Sequence, residues 1–327
     1  MNITKITTEI KYIPLQTPFI TAIRRVENVE FVRVKVECDN DFVAFGEAPA
    51  TMAITGENLE IIEHSIDYIS FYLLQKNPKK ALTILHDSKI GSSAKAALDM
   101  ALVSLLAQEK RQNLYEYLGA KEKLSIETDI TISLNSKEKM IHDAQIAFKN
   151  QLTILKLKLG SDIQHAIEVT KELAEVLPKA KLLIDANQAW SLEDSLLYVN
   201  EMKDVKLELI EQPVLAKDLQ SLKKITDATD IPILADEAAF TLEDVKKIIA
   251  TKSADMINIK LMKCGGLTKA VEILEYCKKK NVSCMLGSML EGPVSIDAAK
   301  QLAMAYPETI KYVDLDSPLL YKEGFTL

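Results

Sequence analysis

Residues 181–211 read KLLIDANQAWSLEDSLLYVNEMKDVKLELIE. An apolar run ends in Asp185, a segment with apolar residues at helical spacing follows, and a second apolar run ends in Glu211. Short apolar runs that alternate with helical stretches are typical of βα units in a parallel sheet. The stretch therefore predicts two parallel strands joined by a helix, each strand ending in an acidic residue.

The same unit recurs on both sides of this stretch. Apolar runs also end at Lys158, Asp236 and Lys260, so that the successive run ends from Lys158 to Lys260 lie 27, 26, 25 and 24 residues apart. Further apolar runs cover residues 126–134, 283–288 and 310–316. The resulting eight strands with intervening helices favour a closed (β/α) barrel. An open doubly wound sheet is the main alternative, but such a sheet usually has a glycine-rich phosphate turn after its first strand, and this sequence has none.

The first part of the chain has a different pattern. Residues 3–14, 29–37 and 43–47 alternate between apolar and polar, which predicts three antiparallel strands, and residues 17–25 are expected to form a mobile loop between the first two. Residues 57–118 have apolar residues at helical spacing, and Ser92 and Ser93 are expected to cap the most apolar helix.

These patterns predict two domains. Residues 1–122 are expected to form an α+β capping domain, and residues 123–316 a catalytic barrel. Too little chain follows the last strand for a full helix, which predicts a (β/α)7β barrel whose tail, residues 317–327, packs back on the capping domain.

Composition argues against several classes of partner. The formal net charge of −7 disfavours nonspecific binding to nucleic acid or to an anionic membrane surface. The sequence has no apolar stretch of membrane-spanning length, and its start lacks the apolar core of a signal peptide. The four cysteines form no CxxC pair, so a reduced, cytoplasmic protein is expected.

Three acidic residues, Asp185, Glu211 and Asp236, end consecutive predicted strands. The carboxyl ends of barrel strands open on one face, so the three carboxylates are expected to converge. A single strand-end carboxylate is more often a helix cap or a surface charge, but three crowded carboxylates repel each other unless a cation neutralises them. An all-oxygen set favours a hard ion, Mg²⁺ before Mn²⁺ or Ca²⁺. Hydrogen bonds around these ligands are expected from Asn187, Gln212 and Glu237.

Lysines end the strands on either side of the acidic residues. Strand alternation sends Lys156 and Lys158 to the same side, the barrel interior, and Lys260 ends a strand on the opposite side. Repulsion, partial burial and a nearby dication are expected to favour the neutral amine of Lys158, which suits a general base. The alternative is that the lysines serve only as ion-pair partners of the carboxylates. No histidine lies at a predicted strand end to take their place.

This arrangement suits proton chemistry next to a carboxylate. A substrate whose carboxylate binds the metal would present its α-proton between Lys158 and Lys260. Loss of the proton creates an enediolate, whose charge the cation stabilises. If one lysine takes the proton and the other returns a proton to the opposite face, the α-carbon is inverted.

The motifs around these residues resemble those of the enolase superfamily and, within it, the muconate-lactonizing subgroup. The matching motifs are Lys156-Leu157-Lys158, Asp185-Ala186-Asn187, Glu211-Gln212-Pro213, Asp236-Glu237, Asn258-Ile259-Lys260 and Lys263-Cys264-Gly265-Gly266-Leu267. The resemblance spans nearly the whole chain, and it includes Phe45-Gly46-Glu47-Ala48-Pro49 in the N-terminal part. It implies Mg²⁺ binding by the acidic trio and acid/base roles for Lys158 and Lys260.

The eighth predicted strand ends in Asp314-Leu315-Asp316. Alternation puts both aspartates on one face, at the barrel mouth, where paired carboxylates suit an ammonium group. A capped strand end is the simpler explanation for this motif alone. Within the subgroup, however, the motif resembles that of the dipeptide epimerases, and the resemblance implies that Asp314 and Asp316 bind the α-ammonium of a dipeptide.

The remaining substrate contacts are implied by the same resemblance. Residues 21–24 resemble the loop of alanyl-glutamate epimerases, which implies that Arg24 pairs with a glutamate side chain, with Arg25 as a rival. Residues 49–56 are expected to close over the site. Pocket contacts are implied for Thr131, Lys156, Ser288 and Leu290. One departure is visible, because Leu290-Glu291-Gly292-Pro293 replaces the more usual threonine- or serine-containing continuation, and this leaves the pocket shape open.

The favoured function is a Mg²⁺-dependent isomerase that epimerises the C-terminal residue of a dipeptide, with L-Ala-L-Glu and L-Ala-D-Glu as the favoured pair, as in murein peptide recycling. A homo-oligomer is compatible with the resemblance. The alternatives are an epimerase for hydrophobic or cationic dipeptides, a cycloisomerase or o-succinylbenzoate synthase of the same subgroup, and a catalytically silent barrel that binds peptides or metal.

Overall fold

A computed structural model describes residues 1–21 and 25–323. The N-terminal part is an antiparallel sheet in the order β1-β2-β3, followed by five helices. These elements are β1 (Ile3–Ile20), β2 (Arg25–Cys38), β3 (Val43–Pro49), α1 (Met52–Thr55), α2 (Leu59–Leu73), α3 (Pro78–Asp87), α4 (Ser92–Glu109) and α5 (Leu114–Tyr117).

The second part alternates strands and helices. Its strands are β4 (Ile130–Ile132), β5 (Ile154–Lys158), β6 (Lys181–Asp185), β7 (Leu209–Glu211), β8 (Ile233–Ala235), β9 (Met256–Lys260), β10 (Cys284–Gly287) and β11 (Ile310–Asp314). Its helices are α6 (Lys137–Lys149), α7 (Ile163–Val176), α8 (Leu192–Glu201), α9 (Leu219–Thr226), α10 (Leu242–Thr251), α11 (Leu261–Cys264), α12 (Leu267–Lys280), α13 (Pro293–Ala305) and α14 (Ser317–Leu320).

The eight strands of the second part form one parallel sheet in sequence order, from β4 to β11. The register aligns Lys158 with Asp185 and Asp185 with Glu211, so the charged strand ends lie side by side. Asp129, just before β4, donates its backbone N–H to the carbonyl of Val313 in β11 at 3.0 Å and brings the two outer strands together. The predicted (β/α)7β barrel with an α+β capping domain is confirmed.

The barrel interior is layered. A layer of hydrophobic side chains fills its amino-terminal half. The members of this layer are Ile154, Leu183, Leu209, Leu234, Met256, Met285 and Tyr312. Two residues further along each strand, alternation brings the charged and polar residues inward, including Lys156, Asp185 and Glu211. A hydrophobic layer therefore lies beneath the charged site at the carboxyl ends of the strands.

Two local expectations about the capping domain are wrong. Residues 17–20 are not a loop, because β1 extends to Ile20 and pairs with β2 through Phe19–Val26 and Ile20–Arg25. Phe19 is buried against Phe31 and Leu290, and this burial extends the strand. The serine cap of α4 is also wrong, because the carboxylate of Glu57 accepts hydrogen bonds from the N–H groups of Ser93 and Ala94, at 2.8 and 3.1 Å.

Contacts between the two parts rest on buried acids of the capping domain. Glu47 Oε2 accepts hydrogen bonds from the N–H groups of Val294 and Ser295 at the start of α13, at 2.8 and 3.2 Å. Its Oε1 accepts from Arg33 Nε and Nη2 at 2.8 and 2.6 Å. Tyr321 forms a bridge with Leu15, which joins the C-terminal segment to β1. The exact domain limits at residues 122 and 123 stay a prediction.

We expect Glu47→Ala to destabilise the fold strongly. The change leaves the Arg33 guanidinium and two helix N–H groups without their buried acceptor, which costs about 3 kcal/mol of unfolding free energy or more. Urea unfolding followed by circular dichroism measures the change. Glu37→Ala is the matched control, because Glu37 and its partner Lys35 are 30% and 39% exposed, and it should leave the unfolding midpoint nearly unchanged.

Within residues 1–21 and 25–323, no helix is both long and apolar enough to cross a membrane.

Candidate active site

The charged strand ends converge as predicted from their spacing. Lys158 Nζ lies 2.6 Å from Asp185 Oδ2, and Lys260 Nζ lies 2.6 Å from Asp236 Oδ2. Lys156 Nζ, which is fully buried, lies 2.6 Å from Glu211 Oε2 and 3.3 Å from Asp185 Oδ2. Strands β5 and β9 are four places apart in the ring of eight, so Lys158 and Lys260 approach the site from opposite sides.

The backbone around the acidic residues is held by their neighbours. Gln212 Oε1 accepts hydrogen bonds from the N–H groups of Asp236 and Ala238, at 3.0 and 3.1 Å. Asn187 donates its N–H to Asp185 Oδ1 at 2.9 Å. Both residues have positive φ angles, 36° for Gln212 and 45° for Asn187, a conformation that non-glycine residues adopt rarely and that clusters at functional sites.

The buried acids of the site differ in their electrostatic balance, because burial is outweighed by nearby lysines that hold the pKa values of Asp185 and Asp236 below their usual range. Burial, followed by the charge of Asp185, raises the pKa of Glu211 to about 7. Burial, followed by the charge of Asp236, raises the pKa of Glu237 to about 8. Burial opposes the charge of Lys260, but Asp236 and Glu211 outweigh it and hold the pKa of that ammonium above its usual value. Additional positive charge would therefore be favourable here.

The donor set fits a hard cation. Asn187 Oδ1, Glu237 Oε2 and Asn258 Oδ1 are buried acceptors without a hydrogen-bond donor among the residues that the structure describes. They lie beside the acidic trio, because Asn258 Nδ2 donates to Glu211 Oε1 at 2.8 Å, the Asn187 N–H donates to Asp185 Oδ1, and Glu237 follows Asp236 in the chain. Oxygen ligands of this kind are what Mg²⁺ prefers.

The carboxylate oxygens of Asp185, Glu211 and Asp236 do not form a close group, however. In the described part of the chain, the carboxylates whose oxygens all lie within 4.8 Å of one another are Asp129, Asp314 and Asp316. The ion pairs of Lys158 with Asp185 and of Lys260 with Asp236 turn those two carboxylates towards the amines instead. Metal binding by the trio stays a prediction that the donor chemistry favours.

A polar cavity lies above the charged strand ends. The barrel contributes Thr131, Lys158, Asn187, Lys260, Ser288, Met289, Leu290, Asp314 and Asp316 to its lining, and the capping domain contributes Phe19, Thr21 and Ile54. Ile54 belongs to α1, so one residue of the segment 49–56 lies at the cavity, and closure of this segment over the site stays a prediction. The structure thus brings all the predicted pocket residues together except two. Lys156 lies just below, 2.6 Å from Asp314, and Arg24 lies outside the described residues.

Comparison with known proteins decides the family. The N-terminal domain model of mandelate racemase / muconate lactonizing enzymes matches residues 3–119, and the model described as enolase C-terminal domain-like matches residues 139–326. The L-amino acid-D/L-Glu epimerase of Sulfurimonas denitrificans is 56% identical over 324 residues, which cover 99% of this chain and 95% of the relative. The chain belongs to the dipeptide epimerases of the enolase superfamily.

Solved structures of dipeptide epimerases have the same fold. A substrate-liganded complex of the L-Ala-D/L-Glu epimerase from Bacillus subtilis has a TM-score of 0.94 and 40% identity, and the match covers 98% of this chain and 92% of that one. The dipeptide epimerase of Enterococcus faecalis, complexed with Mg and L-Leu-L-Tyr, has a TM-score of 0.95 and 32% identity, with the same coverage of both chains.

Sequence reasoning missed two buried residues of this dipeptide epimerase site. Lys263 Nζ donates to Asp236 Oδ1 at 2.5 Å and to the carbonyl of Asn258 at 2.8 Å, and so fixes the end of β9 against Asp236. Its signal was a lysine between Met262 and Cys264 in an otherwise apolar helix. Asp129 was missed because its partners lie about 185 residues away, and only the closure of the barrel brings them together.

Proposed function

We propose that the protein is a Mg²⁺-dependent dipeptide epimerase that transfers a proton at the α-carbon of the C-terminal residue. L-Ala-L-Glu and L-Ala-D-Glu are its favoured pair of substrates. The observation that carries this proposal is the placement of Lys158 and Lys260 on opposite sides of one acidic site. Two relatives of this chain are an L-amino acid-D/L-Glu epimerase and an L-Ala-D/L-Glu epimerase, and this similarity supports the proposal.

The two lysines act on opposite faces of the substrate's α-carbon. One neutral amine removes the α-proton, and the ammonium opposite returns a proton to the other face, so the configuration is inverted without a net change in protonation. Each lysine therefore serves as base for one diastereomer and as acid for the other. Lys156, held between Glu211 and Asp314, is placed to donate to the substrate carboxylate.

Mg²⁺ would be held by Asp185, Glu211 and Asp236. When bound, it supplies positive charge for the enediolate and competes for the carboxylates that otherwise pair with Lys158 and Lys260. Mg²⁺ in the solved structure of the E. faecalis epimerase supports this choice of ion.

Recognition of the dipeptide amino group falls to the end of β11. Asp314 and Asp316 both line the cavity, and Asp316 is oriented by the Thr131 N–H, which donates to its Oδ2 at 2.7 Å. An ammonium group between two carboxylates forms charge-assisted hydrogen bonds that a muconate or an o-succinylbenzoate precursor lacks. The motif therefore favours a dipeptide over the substrates of the cycloisomerase alternative.

A dipeptide library incubated with enzyme and Mg²⁺ in D₂O tests the proposal. Mass spectrometry should show a gain of one deuterium in dipeptides that end in Glu. Parallel reactions with muconate and with an o-succinylbenzoate precursor should show no turnover. Binding of dipeptides without isotope exchange in any of them would favour a catalytically silent barrel instead.

We expect Arg24 to select the glutamate side chain. Arg24→Ala removes a charge-assisted hydrogen bond, which should lower kcat/KM for L-Ala-L-Glu by roughly 10- to 100-fold and leave exchange of an apolar dipeptide unaffected. Arg25→Ala is the matched control, since the exposed Arg25 pairs with Glu27 at 3.4 Å. Steady-state kinetics with both dipeptides measure the effect. An equal loss for the two dipeptides would contradict it.

We also infer a homo-oligomer, formed through the outer face of α2. Tyr68, Phe71 and Tyr72 form an exposed aromatic cluster there, and Phe71 is 79% exposed. Exposed Glu60 near the start of the helix and Lys76 beyond its end would face each other in an antiparallel pair of α2 helices. Sedimentation velocity should show a species larger than one chain, and Phe71→Lys should shift it to the monomer.

A cytoplasmic location and a role in murein peptide recycling complete the proposal. Four free cysteines suit a reducing compartment, and L-Ala-D-Glu is a fragment of murein peptides.

A further inference from the structure

Asp129 is a buried acid that neither the lysine chemistry nor the metal site uses. It precedes β4 and is fully buried. One carboxylate oxygen from each of Asp129, Asp314 and Asp316 lies within 4.8 Å of the others. Three carboxyl groups at this distance cannot all be ionised at low cost.

The three acids differ in the donors that serve them. Asp316 Oδ2 accepts the Thr131 N–H at 2.7 Å, and Asp314 Oδ2 lies 2.6 Å from Lys156 Nζ. Neither oxygen of Asp129 accepts a hydrogen bond from the described residues. A buried carboxylate without donors costs several kcal/mol, whereas a neutral carboxyl group in the same place needs only an acceptor for its O–H.

We propose that Asp129 is a neutral carboxylic acid whose O–H donates to the Asp314–Asp316 pair and positions that pair for the substrate's ammonium group. The inference rests on the proposed function, because it assumes that Asp314 and Asp316 receive an ammonium. Asp129 is a positioning residue in this account, since it touches the two carboxylates and not the substrate.

The electrostatics of the cluster agree with this assignment. Burial, then the charges of Asp314 and Asp316, raises the pKa of Asp129 well above its usual value, and Lys156 only partly opposes them. For Asp314, burial is outweighed by the ammonium groups of Lys156 and Lys158, which hold the pKa below its usual value. Burial, then the charge of Asp314, raises the pKa of Asp316 to about 6, and the hydrogen bonds from Thr131 oppose this rise. Asp129 is the acid of the cluster whose two oxygens have no donor among the described residues, so it is assigned the proton, and Asp314 keeps its charge for the ligand.

A pair of variants distinguishes a neutral Asp129 that donates a hydrogen bond from a charged Asp129 that binds an ammonium group or a metal ion. Asp129→Ala removes the O–H and should raise KM for L-Ala-L-Glu by about 10-fold, with a smaller change in kcat. Asp129→Asn restores a neutral donor of the same shape and should rescue KM to within about threefold of wild type. Asp316→Asn, the same substitution on a charged member of the cluster, should raise KM at least about 10-fold. A loss in Asp129→Asn that equals the loss in Asp316→Asn would overturn the proposal, because Asp129 would then act as a charge towards ammonium or metal.

A second measurement does not depend on activity. The infrared difference spectrum between wild type and Asp129→Asn, both loaded with Mg²⁺ at neutral pH, should contain the carbonyl band of a protonated carboxyl group. A carboxylate band in its place would overturn the proposal. If wild-type enzyme exchanges no dipeptide, the proposed function fails, and the infrared band still decides the state of Asp129.

Discussion

Replacing either Lys158 or Lys260 by Ala should lower the rate of epimerisation by about 10³-fold, because each turnover needs a base on one face and an acid on the other. The loss should be asymmetric when isotope exchange is measured instead. A variant that retains one lysine retains the base for one diastereomer, so it should still wash the α-proton out of that diastereomer in D₂O. The two single variants should exchange opposite diastereomers.

The asymmetry separates acid/base catalysis from ion pairing. If the lysines only balanced Asp185 and Asp236, each substitution would slow exchange of both diastereomers alike. Lys181→Ala is the matched control, since this exposed lysine begins β6 at the far end of the barrel. Its epimerisation rate should equal that of wild type. Proton NMR of each pure diastereomer in D₂O measures the exchange in both lysine variants and in the control.

Mg²⁺ should control both stability and activity. Chelation should abolish epimerisation, and Mg²⁺ at 100 times its dissociation constant should stabilise the fold by about 2.7 kcal/mol. For a chain of 327 residues the gain corresponds to a rise of roughly 4 °C in Tm, measured by differential scanning fluorimetry. Glu211→Gln keeps an acceptor for Asn258 and removes the ligand charge, so its Tm should respond much less at the same Mg²⁺ concentration.

The control for this prediction is Glu243→Gln, an equivalent substitution on α10 with the side chain 79% exposed. It should keep the full response of Tm to Mg²⁺ and the full rate. A Glu211→Gln protein with an undiminished Mg²⁺ response would contradict metal binding by the trio. Such a result would instead favour Asp129, Asp314 and Asp316, the tighter group of carboxylates, as the metal ligands.

The barrel could be predicted because apolar runs, several of which end in a charged residue, recur at regular intervals in the sequence. Five successive predicted strands end in a charged residue at a steady spacing, and alternation assigns Lys156 and Lys158 to the interior without any knowledge of the neighbouring strands. The same periodicity pointed to the acidic trio and both lysines, and the structure places Lys158 beside Asp185 and Lys260 beside Asp236.

What sequence reasoning missed depends on contacts between distant segments. Glu47 caps α13, and Glu57 takes the place of the expected serine cap of α4. Phe19 lies in a segment with the polar and proline residues of a loop, yet it is buried by Phe31 and extends β1. Asp129 looks like any polar residue near a strand end until β11 closes beside it. No local pattern carries these contacts, because each partner lies in another element.

Epimerisation by two opposed lysines is tested most directly by following the glutamate α-proton of pure L-Ala-L-Glu by NMR in D₂O, with wild-type enzyme and Mg²⁺. This signal should disappear while the signals of L-Ala-D-Glu, deuterated at the same carbon, grow to equilibrium. Persistence of the α-proton signal, both in this reaction and in one started from L-Ala-D-Glu, would show that the protein does not epimerise this dipeptide.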